Sequence, residues 1–136
     1  MVLEHKHLII RAQLQAPPIC AEEIVVWMRN LVEKINMKIL MGPYAIYSDM
    51  VGNKGLTAVT IIETSHIALH IWDEVHPALM QLDVYTCSKL NPKDVFDAFK
   101  CFDPVNFEYK FIDREHELVL LERGTMNEIL SVSTQR

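Results

Sequence analysis

The sequence predicts an α+β fold, a mainly antiparallel sheet with two helices on one face. Six segments are rich in β-branched residues or alternate between polar and apolar residues, and only two segments have helical periodicity. Four of the strand segments follow one another with no helix between them, which favours antiparallel neighbours. We expect one domain that spans residues 1–136, because this length leaves no room for a second.

The first half of the chain predicts a strand, a helix and a second strand. Residues 5–15 alternate between one face that begins at His7 and an apolar face that begins at Leu8, and two prolines follow. Residues 21–37 place apolar side chains on one stripe at helical spacing. Residues 38–48 predict a short strand that a Gly-Pro pair interrupts.

The second half predicts four strands and a helix. Asn91 is a favourable N-cap, and Pro92 suits the first helical position, so we expect a helix that reaches about residue 102. From residue 114 the chain becomes charged and then polar, and its last few residues are expected to be disordered. The four predicted strands are residues 56–64, 66–72, 78–87 and 105–113.

Composition excludes several classes of partner. The net charge of −5 and the lack of a basic cluster argue against nucleic acid and anionic membranes. No apolar run reaches the roughly 18 residues that span a bilayer, and the first residues lack the order of a signal peptide. The three cysteines have no CxxC spacing, which favours a reducing compartment. We therefore expect a cytoplasmic protein.

The two faces of the predicted sheet differ in kind. One face is apolar and can be covered by the two helices. The other face mixes polar and apolar side chains, so it is too apolar for plain solvent and too polar for an ordinary core. We therefore predict a homodimer in which two such faces meet. The mixed face carries His66, Ala68, His70, Trp72, Leu79, Gln81, Asp83, Tyr85 and Cys87.

Ser65 begins the stretch that is most informative about chemistry. The predicted strands place its hydroxyl near the imidazoles of His66 and His70 and the thiol of Cys87. A serine hydroxyl that attacks the preceding carbonyl carbon can turn its own residue into a pyruvoyl group. The ketone of that group accepts the electrons released when an amine substrate loses carbon dioxide, and a nearby thiol can return a proton.

The same residues suggest two other kinds of site. On a strand, His66 and His70 begin about 13 Å apart, so we do not expect them to share a metal ion. Ser65, His66 and Asp83 supply the residue types of a nucleophilic hydrolase. The G-x-S-x-G elbow that exposes such a nucleophile is absent from the sequence.

Two runs of residues form a more specific pattern. They are Thr64-Ser65-His66-Ile67-Ala68-Leu69-His70-Ile71-Trp72-Asp73-Glu74 and Asp83-Val84-Tyr85-Thr86-Cys87, accompanied by His7-Leu8 and Gly55-Leu56-Thr57. This pattern resembles the S-adenosylmethionine decarboxylase family in its short bacterial and archaeal form.

The resemblance implies a role for each matching residue. Ser65 is the expected cleavage serine, His70 the processing histidine and Cys87 the catalytic proton donor. Thr57 stands where the family has a processing serine, and Thr64 supplies the carbonyl that is attacked. The implied substrate-binding residues are Glu74, which contacts the ribose in the family, and Trp72, Ile67 and His66.

The resemblance also implies an activity. The chain would be a proenzyme that cuts itself between Thr64 and Ser65, giving a β chain of residues 1–64 and an α chain of residues 65–136. A pyruvoyl group derived from Ser65 would be the cofactor, and no metal is expected. The substrate would be S-adenosylmethionine, decarboxylated for spermidine synthesis. Members of the family dimerise into an α-β-β-α sandwich, which agrees with the two-face argument.

Two departures from the family pattern leave alternatives open. Thr64 replaces a glutamate before the cleavage serine, and Arg11 replaces an acidic residue in the first strand. Arg11 could reshape the pocket for a smaller amino acid such as ornithine or arginine. Thr64 could instead mark an uncleaved paralogue that binds a ligand or regulates a partner without catalysis.

Overall fold

The computed structural model describes residues 4–129 and has the predicted α+β architecture. Seven strands form one antiparallel sheet in the order β2-β3-β4-β5-β1-β6-β7. The strands are β1 Lys6–Leu14, β2 Ile39–Ser48, β3 Gly55–Ile62, β4 Ser65–Trp72, β5 Ala78–Thr86, β6 Pro104–Asp113 and β7 Leu120–Thr125. The helices are α1 Ala21–Lys34 and α2 Pro92–Ala98, followed by a 3₁₀ turn at Lys100–Phe102.

The core lies between the helices and one face of the sheet. Alternate residues of β1, β4 and β5 are buried there, as the period of two predicts. Side chains from α1 and α2 join the same apolar cluster, and Phe99 is among its largest fully buried members. The helices therefore cover one face only. No helix among the described residues combines the length and apolar character that crossing a bilayer requires.

The opposite face of the sheet, here called the open face, is not covered by a helix. It carries the mixed polar and apolar residues that the sequence places there, and His70 is exposed on it. Toward β2 and β3 this face becomes apolar. The exposed apolar side chains in that region are Met41, Tyr44, Ile46, Val59 and Ile61.

Several predicted boundaries are corrected by the structure. The strand predicted for residues 56–64 ends at Ile62, because residues 63 and 64 form the turn to β4. The first helix ends at Lys34 rather than at the predicted residue 37. Asn36 has a left-handed backbone (φ 58°), which prevents the helix from continuing. The second helix ends at Ala98 and tightens into the 3₁₀ turn.

Two further expectations have different outcomes. The Gly-Pro pair in β2 does not end that strand but shifts its register against β3. Strand β7 was not predicted. It is an edge strand that pairs only with β6 and is exposed on nearly every residue, so it has no alternating pattern to detect. The disorder expected for the last few residues falls at 130–136, outside the described residues.

Gly55 begins β3 where the backbone of β4 passes closest to it. Its φ is 145°, and a β-carbon at this position would lie 1.7 Å from the carbonyl oxygen of Ile71. No side chain fits without moving the backbone of the neighbouring strand. Gly52 differs, because its φ of 93° also favours glycine but a β-carbon there would have no heavy atom within 4 Å.

We predict that Gly55→Ala lowers the free energy of unfolding by about 3 kcal/mol or more, since the clash is with backbone. Gly52→Ala should cost about 1–2 kcal/mol, the cost of a left-handed backbone alone. Urea denaturation of both variants checks the comparison. Equal losses of unfolding free energy in the two variants would show that the contact with Ile71 does not restrict the side chain at residue 55.

Candidate active site

A two-residue turn connects β3 to β4 and places Ser65 directly after it. Ile62 and Ser65 face each other across the turn, and Glu63 and Thr64 form its tip. The Cys87 thiol lies against this tip. It donates a hydrogen bond to the Glu63 carbonyl oxygen at 2.8 Å and accepts one from the Thr64 N–H at 3.3 Å. The predicted serine and cysteine are therefore close together in the structure.

The Ser65 hydroxyl is a buried polar group that lacks a partner. Its side chain lies on the same face as Ile67, toward the helices, and Oγ has no hydrogen-bond partner within residues 4–129. An unpaired buried hydroxyl costs about 1–3 kcal/mol, so it calls for an explanation. No hydrogen bond among the described residues therefore holds Oγ away from the preceding carbonyl carbon.

His70 forms a separate pair with Thr57. The two residues are directly opposite in the β3–β4 ladder, and Thr57 Oγ1 lies 3.1 Å from His70 Nδ1 on the open face. His70 is five positions after Ser65, which corresponds to about 16 Å along the strand. The structure thus unites Thr57 with His70, and Cys87 with the turn, but it does not bring His70 to Ser65 within one chain.

The other predicted substrate-binding residues occupy two different environments. Glu74 Oε1 accepts hydrogen bonds from the backbone N–H groups of Gly52 (2.7 Å) and Lys54 (2.9 Å), and so fastens the loop before β3. Trp72 contacts the same loop at the far end of β4. Ile67 is fully buried in the core, so its side chain cannot reach a ligand on the open face.

His66, the remaining predicted residue, belongs to a polar network with His7 and Asp83, here called the His-Asp cluster. Asp83 Oδ1 is hydrogen-bonded to His7 Nε2, and Asp83 Oδ2 lies 3.5 Å from His66 Nε2. Burial alone would raise the pKa of Asp83, but the hydrogen bond from His7, with a further contribution from His66, holds that pKa below its usual value. Since Ser65 faces the other way, the cluster does not form a serine triad.

Arg114 and Tyr85 adjoin the cluster and were not predicted as site residues. The Arg114 guanidinium carbon lies 3.9 Å from the centre of the Tyr85 ring, and Nη1 lies 3.2 Å from His7 Nδ1. Arg114 comes from the end of β6, and no local motif announces it. Only the arrangement of strands brings it to the same end of the sheet as Cys87.

The His-Asp cluster has the residue types of a metal site, since its ligand atoms lie within 4.8 Å of one another. A guanidinium can only donate, so His7 Nδ1 accepts from Arg114 and the neutral ring carries its proton on Nε2. A protonated ring nitrogen cannot coordinate a cation, so a metal at Nε2 would require the proton to move to Nδ1. Arg114 would then have to move away, because Nδ1 could no longer accept its hydrogen bond. A second, more exposed group consists of Asp113, Glu115 and His116.

A groove of about 610 Å³ lies over β1, β6 and β7, away from Ser65 and Cys87. Arg11, which replaces the acidic residue of the family pattern, lines it. The remaining lining residues are Ile9, Glu108, Tyr109, Lys110, Arg123, Gly124, Thr125 and Glu128.

Comparison with known proteins agrees with this geometry. The sequence model of the family described as S-adenosylmethionine decarboxylase matches residues 17–115, well over half of the chain and all of the segment that contains Ser65 and Cys87. The chain belongs to the S-adenosylmethionine decarboxylase family.

Two curated relatives from the S-adenosylmethionine decarboxylase family carry the name S-adenosylmethionine decarboxylase proenzyme. The protein of Methanococcus aeolicus is 32% identical over 77 residues, 55% of this chain and 56% of the relative. The protein of Acetivibrio thermocellus is 37% identical over 71 residues, 48% of this chain and 56% of the relative. The matched part thus spans just over half the length of each relative.

A solved structure extends the S-adenosylmethionine decarboxylase likeness to the fold. The adenosylmethionine decarboxylase from Aquifex aeolicus VF5 superimposes with a TM-score of 0.61 and covers 86% of this chain and 98% of its own. Its sequence identity is 21%, so the comparison speaks for the fold alone.

We predict that Asp83→Asn lowers the free energy of unfolding at pH 5 by about 1 kcal/mol or less, because Asp83 is partly exposed. The folded-state pKa of Asp83 is depressed, so its contribution is present above its ordinary pKa and is lost as the pH falls through the folded value. The difference from the unsubstituted protein should therefore shrink toward pH 3.

Urea denaturation at pH 5, 4 and 3 measures this difference. Asp49→Asn, at an exposed carboxylate, serves as the control. A gap that stays constant over this range would contradict an electrostatic role of Asp83 in stability.

Proposed function

We propose that this chain is a self-cleaving proenzyme that becomes a pyruvoyl-dependent decarboxylase of S-adenosylmethionine, in the cytoplasm, for spermidine synthesis. The observation that carries the proposal is the buried, unpaired hydroxyl of Ser65 directly after a turn that the Cys87 thiol holds. Family membership and the names of the two relatives support it.

Cleavage would follow from groups that are already adjacent. Ser65 Oγ attacks the Thr64 carbonyl carbon, the C–N bond breaks, and the amide becomes an ester with a free amine on residue 65. Loss of the Ser65 α-proton then expels the Thr64 carboxylate and leaves dehydroalanine. Water replaces the nitrogen, which leaves as ammonia, and a pyruvoyl group remains at the new N-terminus.

The substitution of threonine for glutamate at residue 64 is compatible with this chemistry. Thr64 contacts Cys87 through its backbone N–H, and the carbonyl that is attacked also belongs to the backbone. A change of side chain leaves both groups in place. The departure from the family pattern therefore does not remove a group that cleavage requires.

Cys87 has the position that a proton donor needs. Once formed, the pyruvoyl group would supply a ketone that binds the substrate amine and accepts the electrons released with carbon dioxide. The Cys87 thiol already lies within hydrogen-bond distance of Glu63, in the turn that would be cleaved. It can therefore return a proton to the substrate carbon at the new N-terminus.

We further propose that two copies of the chain pack with their open faces together. The separation of Ser65 from His70 means that one chain cannot supply both groups to one site. A second copy could present its Thr57–His70 pair to the first copy's turn, since that pair lies on the open face. The exposed apolar side chains of β2 and β3 provide area for such an interface.

We predict that the purified protein separates into two fragments, residues 1–64 and 65–136, on denaturing mass spectrometry, and that Ser65→Ala abolishes this cleavage by removing the nucleophile. Ser48→Ala is the matched control and should cleave normally, because Ser48 pairs with Gly55 at the opposite end of β3 from the turn in the same chain. The larger fragment should react with hydroxylamine, which traps ketones.

Other outcomes would replace parts of the proposal. A full-length mass that persists would favour an uncleaved, non-catalytic binding protein. Cleavage accompanied by release of labelled carbon dioxide only from ornithine or arginine would keep the cofactor and change the substrate.

We predict that His70→Ala also blocks cleavage when it is expressed alone, and that co-expression with Ser65→Ala restores cleavage of the His70→Ala chain. The reason is that a mixed dimer has one site with both Ser65 and an intact His70. Different affinity tags on the two chains allow mass spectrometry to assign the fragments. If the His70→Ala chain cleaves alone, or stays intact in the mixture, the shared site is excluded.

A further inference from the structure

Arg114 lies at the surface, yet both its side chain and its backbone make defined contacts. Its guanidinium stacks on the Tyr85 ring at 3.9 Å and donates to His7 Nδ1 at 3.2 Å. Its backbone N–H donates to the His5 carbonyl oxygen at 2.8 Å, which fixes the chain where β6 ends. Stacking and hydrogen bonding together remove much of the freedom that a surface arginine normally keeps.

This guanidinium lacks an anionic partner within residues 4–129. The acidic residues on either side of it in sequence, Asp113 and Glu115, pair with Lys6, and Asp113 also pairs with His116. The carboxylate of Asp83 is nearby, but its two oxygens are directed at His7 and His66. Of the five N–H donors of the guanidinium, one is used for His7, so others remain for a ligand.

Arg114 lies at the end of the sheet where the cleavage turn is found. Tyr85, beneath the guanidinium, is opposite His66 in the β4–β5 ladder and two residues before Cys87. Two residues along a strand correspond to about 7 Å. A ligand group bound by Arg114 over Tyr85 would therefore lie on the order of 7 Å along the sheet from Cys87, and beside His66, the residue that follows Ser65.

We propose that Arg114 binds the carboxylate of the amino-acid substrate, an inference that rests on the proposed decarboxylase function. The planar guanidinium fork matches a carboxylate, and Tyr85 and His7 hold that fork in place before the substrate arrives. Asp83 does not compete for the guanidinium, because the histidines occupy its oxygens. Arg114 would thus be a residue that positions the substrate and selects for amino acids.

Binding through the carboxylate would distinguish the substrate from the product. The substrate carries the carboxylate and the product does not, because that group leaves as carbon dioxide. The contact with Arg114 therefore exists before the reaction and is absent after it. Arg114 would favour substrate over product at the same site and so promote product release.

The test measures binding rather than turnover. In the Ser65→Ala background, which cannot form a ketone, isothermal titration calorimetry gives the affinities for S-adenosylmethionine and for its decarboxylated form. Arg114→Gln should lower the affinity for S-adenosylmethionine roughly 10- to 100-fold, as expected for loss of a charged hydrogen-bonded pair. The affinity for the decarboxylated form should stay unchanged. The affinity of Arg114→Lys for S-adenosylmethionine should lie between those of the two other proteins, since lysine keeps the charge but lacks the planar pair of donors.

Lys110→Gln is the matched control, because it removes an exposed charge from β6, the strand that Arg114 follows. It should change neither affinity. Three results would overturn the role of Arg114. Arg114→Gln could weaken the affinities for both ligands equally, or it could change neither affinity. The third such result is that S-adenosylmethionine does not bind even before the substitution. Self-cleavage of the unsubstituted chain is scored separately. If the chain cleaves itself but Arg114→Gln affects both affinities alike, only the role of Arg114 fails. If the chain stays intact, the proposed function fails.

Discussion

The alternation of side chains along β4 is the constraint on which the rest of this structure depends. Residues an odd number of positions apart point to opposite faces of a strand, so Ser65 turns toward the helices and His70 lies on the open face. The buried face shields the Ser65 hydroxyl from water and from competing partners. The open face carries the imidazole, which can meet a second surface. A chain built in this way separates the proposed nucleophile from the proposed processing histidine by geometry.

Much of the fold could be predicted because its signals are local and periodic. The faces of β1, β4 and β5 follow from a period of two, and the start of α2 follows from Asn91, whose side chain accepts the Lys93 N–H as an N-cap does. The edge strand β7 was missed because it is exposed on almost every residue. The end of β3 was misplaced, since Glu63 and Thr64 have no glycine or proline to mark a turn.

The site could be predicted only as far as its residues lie in short motifs. Ser65, His70 and Cys87 stand in two recognisable runs, and the β4–β5 ladder explains why the runs are close in space. Arg114 could not be found in this way. It is 107 residues from His7 in sequence, and their contact exists because β1 lies beside β6 in the sheet. Such contacts depend on strand order, which periodicity does not encode.

The distances along β4 also constrain how a nucleoside amino acid could be bound. Trp72 and Glu74 lie at one end of the strand and Ser65 at the other, with Trp72 about 23 Å from Ser65. If Glu74 contacts a ribose and Arg114 a carboxylate, one chain would have to bind a single small substrate at both ends of the sheet. Two open faces packed in antiparallel fashion would place the Glu74 end of one copy over the Cys87 end of the other. The two ends of the substrate site are thus separated along one chain, just as Ser65 is separated from His70. The same pairing of open faces would bring both sets of groups together.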